Sequence, residues 1–191
     1  MFRFLLLGMA LMAIPDRVAQ IDVPRRPPAP ISDLPNVTVA TYAIRAESGP
    51  GLIAAMDRAG PVTRSGVRVP AMTEWRNTVG WASNAAGCLP ATARLEWSIT
   101  VTLPVLADDL DIGPRLRERW RDHALQIEAF EYGRVERINA GMEAMLASMR
   151  AATDCEGLAQ ARRRGEQAVA DASARYDAET MRARRAVRPL R

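Results

Sequence analysis

Reactive side chains are scarce in this chain, which narrows where chemistry can come from. His123 is the sole histidine, and Cys88 and Cys155 are the sole cysteines. No nucleophile therefore has a second histidine to serve as its base or orienter. The most informative carboxylate is Glu131, which falls on an apolar stripe between Ile127 and Val135. A carboxylate buried there is costly unless something pairs with it. Arg134 stands one helical turn on, on the same face, and can supply that charge. The expected chemistry is a buried ion-pair cluster, with an exposed helix-surface glutamate as the plain alternative. His123 reads as a helix residue that packs or caps.

Cys88 lies in the region between predicted strands and Cys155 between two predicted helices. In an exported protein an even count this low most simply means one disulfide. It would close a loop of about 67 residues and contribute roughly 4 kcal/mol on the loop-entropy model. A metal pair or redox couple would call for the C-x-x-C spacing, which is missing. The bridge would pin the sheet onto the helices.

The elements that must position these groups follow from periodicity. Met1-Phe2-Arg3 and the apolar run Phe4 to Ile14 have the shape of a secretory leader over 1–20, or of an uncleaved N-terminal anchor. Prolines at 24, 27, 28, 30 and 35 make 21–36 an extended linker, so the domain is expected from Val37 to Arg185. Val37–Ile44 reads as a strand, and Ser48 as the cap of a short helix that ends at Gly60. Trp75, Asn77, Val79 and Trp81 alternate, as do Leu95, Trp97, Ile99, Val101 and Leu103. They predict strands with one buried face, joined by a turn region Ser83–Pro90. Pro104 is expected to close the last strand.

After Gly113-Pro114 the period becomes helical, from Leu116 through Trp120, Ile127, Glu131, Val135, Ile138 and Met142 to Met149. A second helix follows Asp154. Met142, Met145 and Met149 are core packing by their spacing. The fold class is α+β: a small, mainly antiparallel sheet with a short helix, packed on a long C-terminal two-helix hairpin.

The basic side is entirely arginine, and the excess of four positive charges falls in residues 114–191. Five of the last ten residues are arginine, which makes 186–191 a basic tail. No aromatic residues interleave with them, so nucleic acid has no stacking platform and is not an expected partner. Such a tail is an ordinary favourable helix end. The run Arg162-Arg163-Arg164 reads as a solvated helix face.

A resemblance enters with the order of several motifs. Trp81, Cys88, Thr102-Leu103-Pro104 and Trp120 precede Phe130-Glu131-Tyr132-Gly133-Arg134, and Tyr176-Asp177-x-x-Thr180-x-Arg182 closes the series. This order resembles the bacterial family of predicted secreted zinc-dependent proteases, otherwise filed as a domain of unknown function, over roughly Val37 to Arg185. The family typically shows His-Glu-x-Gly-His on the first long helix and Tyr-Asp-x-x-Thr-x-His on the second. The resemblance implies a zincin-like scaffold, zinc as the expected cofactor, and Glu131 as the family's general base, here vestigial. Phe130, Arg134 and Arg182 occupy the three ligand positions. Zinc needs three or four nitrogen, sulfur or oxygen donors, phenylalanine offers none, and a guanidinium is a permanent cation. The expectation is therefore no metal and no other cofactor, with Glu131, Arg134 and Arg182 as an ion-pair cluster.

The function expected is that of a degenerate homologue, leaning to non-enzyme. It would be periplasmic or secreted, and a binding or structural module for an unknown peptide or protein partner. The membrane would be met only through an uncleaved leader. One alternative is an active secreted metallopeptidase drawing on Glu128, Glu131, His123 and Asp177. Another is a basic surface-associating protein.

Overall fold

The computed structural model describes residues 26–185, with side chains to Thr180. The leader, the first part of the linker and the basic tail at 186–191 lie outside the described residues, as does the side chain of Arg182. Three strands and three helices follow in order: β1 (Val37–Ile44), α1 (Gly49–Ala59), β2 (Met72–Asn84), β3 (Gly87–Leu106), α2 (Pro114–Arg150) and α3 (Cys155–Arg185). The strand order is β1-β3-β2. The β2–β3 hairpin is antiparallel, and β1 lies parallel to β3 from Val37↔Ile99 to Ile44↔Leu106. The parallel pairing follows from β2: it starts at the end of the sheet where β1 finishes and carries the chain back, so β3 runs in the direction of β1.

Ser48 caps α1 as its residue type predicts, its hydroxyl accepting from the Gly51 N–H at 3.2 Å. The inward positions of β3, Leu95, Ile99 and Val101, meet Val135, Ile138, Met142, Met145 and Met149 of α2. Met142, Met145 and Met149 are all fully buried, so the sulfur-rich stripe is core. A second apolar cluster joins Ile44, Leu52 and Met56 to Leu116 and Trp120, so α2 spans both halves of the core. Among the described residues no helix is long and apolar enough to cross a membrane.

Three local expectations need correction. The turn is not a region from Ser83 to Pro90: pairing continues to Asn84↔Gly87, leaving a two-residue connection at Ala85-Ala86. Gly87 adopts φ 122, which a side chain would resist. The irregularity is a bulge between Gly80 and Ala82, where the Thr92 hydroxyl accepts from the Ala82 N–H. Nor does Pro104 end β3, which runs on to Leu106. Ile99 N donates to Asn36 and Ala107 N to Ile44, so odd-numbered residues of β3 turn toward β1. Pro104 turns its nitrogen the other way, beyond the Met72↔Thr102 start of β2, and no ladder bond is lost. Finally, the fold reaches back before Val37. Ile31–Asp33 form a 3-10 turn, Ile31 is in the core, and its N–H donates to the Glu128 carboxylate at 3.0 Å.

One pH effect arises here. Tyr42 donates its hydroxyl to the Pro70 carbonyl at 2.7 Å. Burial, with help from the Asp57 carboxylate, pushes its pKa up to about 12. The folded state thus favours the protonated phenol. That contribution is fully present below the ordinary value of about 10 and is lost as pH rises toward the folded value. Tyr42→Phe is expected to flatten the alkaline loss of stability between these limits. Ultraviolet titration of the three tyrosines would check it: a folded protein whose tyrosines all ionise near pH 10 would contradict the assignment.

Candidate functional site

Glu131 lies at the convergence of three elements. Helix α2 presents it from its middle, toward the start of β2 and the C-terminal half of α3, and it is fully buried. The Thr73 hydroxyl of β2 donates to Glu131 Oε2 at 2.8 Å, and Arg134 Nη1 donates to the same oxygen at 2.5 Å. Arg134 then reaches across to α3, where Nε donates to Asp177 Oδ1 at 3.1 Å and Nη2 bonds the same oxygen. One guanidinium thereby bridges two carboxylates on two helices. Burial works against its charge, but Glu131 and Asp177 outweigh it and hold the Arg134 pKa above its ordinary value.

The surroundings explain the neighbouring residue types. Tyr176 is buried under the guanidinium of Arg137, 4.1 Å from the ring centre, and Arg137 also donates to the Gly133 carbonyl. A Cβ on Gly133 would come within 2.4 Å of the Tyr176 hydroxyl oxygen, so the glycine lets α3 approach α2. Gly133→Ala is expected to destabilise by about 1–3 kcal/mol from overpacking, against the roughly 1 kcal/mol that alanine gains in helix propensity. Urea denaturation decides between them, and a stabilised alanine variant would mean that Tyr176 is not held there. Thr180 is buried with its hydroxyl on the Tyr176 carbonyl, inside the helix.

The other candidates are placed apart. Phe130 lines a cleft that it shares with His123. His123 stacks obliquely near Trp120, with ring centres 6.0 Å apart, and burial pushes its pKa below the ordinary histidine value. Glu128 is turned to the Ile31 backbone. Arg182 lies on α3, about one and a half turns past Tyr176-Asp177, and its side chain is outside the described residues. Cys88 and Cys155 are disulfide-bonded, with Cα atoms 5.5 Å apart. Arg162 pairs with Glu166 along the exposed side of α3.

Sequence reasoning did not single out Thr73 or give Asp177 a place in the cluster. Thr73 could have been found, because it is in phase with Trp75, Asn77 and Val79 and so shares their inward face. Asp177 gave no such signal, since it is half exposed and its partner is on another helix. A divalent cation here would need several donors, and among the described residues no group of three His, Cys, Asp or Glu is placed to hold one. The centre instead carries a fixed cation between its carboxylates, and the residues present do not fit zinc. Beside the centre a cleft of about 340 Å³ opens between β2 and the two helices, with Thr73, Trp75, Arg134, Ser173 and Asp177 among its walls.

Fold and centre together define a class: an α+β domain whose three-stranded sheet packs on a helical hairpin cross-linked by a carboxylate–guanidinium–carboxylate chain. Over residues 39–184 the sequence matches the family described as "Bacterial protein of unknown function (DUF922)", and the chain belongs to that family. No curated protein and no solved structure matches the chain. The disulfide points to an oxidising compartment.

Proposed function

We propose that this chain is a non-catalytic member of a protease-like family, exported to the periplasm or cell envelope, where it acts as a binding or structural module. The observation that carries the reading is the Arg134 guanidinium seated between Glu131 and Asp177. The family resemblance puts a metal ligand at Arg134, and a permanent cation there stands in for the metal's charge while supplying no Lewis acid and no activated water. Glu131, the general base of the resemblance, is spent on the ion pair. The secretory shape of the first 20 residues and the disulfide support export.

The cleft beside the centre suits a peptide-like partner. Strand β2 is an edge strand. Even-numbered β3 residues face β2, so Thr73, Trp75 and Asn77, which oppose odd-numbered ones, turn their backbone groups to the open side. An extended segment can add there as a further strand. The test is elemental analysis of the purified protein together with a peptide-cleavage assay. The expected result is far less than one zinc per chain and no cleavage sensitive to a chelator. Stoichiometric zinc with chelator-sensitive cleavage would overturn the reading in favour of a metallopeptidase with unusual ligands.

A further inference from the structure

A second cleft, of about 200 Å³, lies between α1, the segment before β2 and the N-terminal half of α2. Met56, Ile127 and Phe130 make its apolar walls, and Asp57, His123 and Gln126 are its polar groups. Phe130 thus has a positive role: the residue that cannot ligate a metal completes an apolar wall. The volume is informative, since a cavity of about 150 Å³ already holds benzene. One aromatic or branched aliphatic group with a short polar end would fill it.

The charge at this cleft sets what that end can be. Among the described lining residues Asp57 is the only formally charged one, and none of them is arginine, although arginines are abundant elsewhere on the chain. His123 is kept neutral by burial, so it can accept or donate one hydrogen bond without opposing a cation. The Asp57 field also reaches inward far enough to help raise Tyr42. Among the described lining residues a carboxylate end would meet like charge, whereas an ammonium would meet its counter-charge at the mouth.

We infer that this cleft binds a small apolar ammonium, a single aromatic or branched aliphatic group whose primary amine is directed at Asp57. The same chemistry is carried by a free amine and by the N-terminus of a peptide that begins with an apolar residue. The inference does not depend on the proposed function, because neither Arg134 nor the edge of β2 takes part.

His123 is the only histidine, so the imidazole proton signals in an NMR spectrum report this cleft without ambiguity. Titration with phenethylamine is expected to move them saturably, and 3-phenylpropionate at the same concentration is not. Asp57 is exposed, so Asp57→Asn should fold normally while weakening phenethylamine binding about three- to fivefold. Ile53→Trp, from the cleft wall, should block it. A parallel titration with phenylalanyl-glycinamide assigns the source: comparable binding points to peptide N-termini, and binding of phenethylamine alone to free amines. The inference is overturned by no saturable shift with either amine, by equal binding of 3-phenylpropionate, or by an unaltered affinity in the Asp57→Asn variant.

Discussion

Arg134→Met is expected to cost about 3–5 kcal/mol of folding stability, among the largest effects of any single substitution in this chain. Glu131 has no solvent exposure and Arg134 little, at 0% and 12% of their side-chain surface. Removing the guanidinium takes away a counter-charge from a carboxylate that water cannot reach, and the penalty for weakening the pairing of a buried charge exceeds what the pair contributed by forming. For a chain of this size each kcal/mol corresponds to about 2–4 °C in Tm, so a fall of about 6–20 °C is expected. Asp177, whose side chain is 45% exposed, is screened by solvent, and Asp177→Asn should cost about 1 kcal/mol or less. The double variant Glu131→Gln/Arg134→Met removes the buried charges together and leaves the Thr73 hydroxyl an oxygen to donate to. It should recover much of the loss. Thermal unfolding of the two single variants and the double variant closes the cycle. A single variant within a degree or two of wild type, or a double variant that merely adds the two losses, would mean that the carboxylate and guanidinium do not depend on each other.

That such a cluster was legible before any coordinates is due to the helix period. Glu131 stood out because a charged residue interrupted a long apolar stripe, and the same stripe placed Arg134 one turn on. The members on α3 gave no such signal, because periodicity along one helix says nothing about the rotation of the next. Arg182 rests on motif position alone and its side chain lies outside the described residues, whereas Asp177 is a described partner of Arg134. The sheet shows the same division. Branched and aromatic composition located β1, alternation the inward faces of β2 and β3, and Ser48 announced α1 through its side-chain chemistry. Pro104 misled because its cost depends on which neighbour its nitrogen faces, and that is a property of the strand order β1-β3-β2. Ile31 was hidden among prolines, since one buried residue in an extended segment has no period at all.

Replacing both cysteines by serine is the second large effect, and it tests the opposite end of the helical hairpin. Cys88 is in β3 next to the hairpin turn, and Cys155 is the first residue of α3, at a sequence separation of 67. Closing a loop of that length removes unfolded-state freedom equivalent to roughly 4 kcal/mol. Cys88→Ser/Cys155→Ser should therefore lower Tm by about 10 °C in a chain of this size, and reductant should lower the wild type similarly while leaving the variant unmoved. The loss should also be local in its dynamics. Residues 82–86 of the hairpin are exposed and have few other anchors, whereas Leu95, Ile99 and Val101 are held by α2. Amide exchange should quicken at the hairpin tip and stay slow across the core part of β3. Arg134 and the end of α2 at Arg150 are separated by about 24 Å of helix at 1.5 Å per residue. Sites that far apart add their effects. The triple variant with Arg134→Met is thus expected to lose about 7–9 kcal/mol, comparable with the whole stability of an ordinary domain, and to be largely unfolded at room temperature. A triple variant that still unfolds cooperatively well above room temperature would show that one of the two cross-links, the covalent or the ionic, is not holding the sheet and helices together.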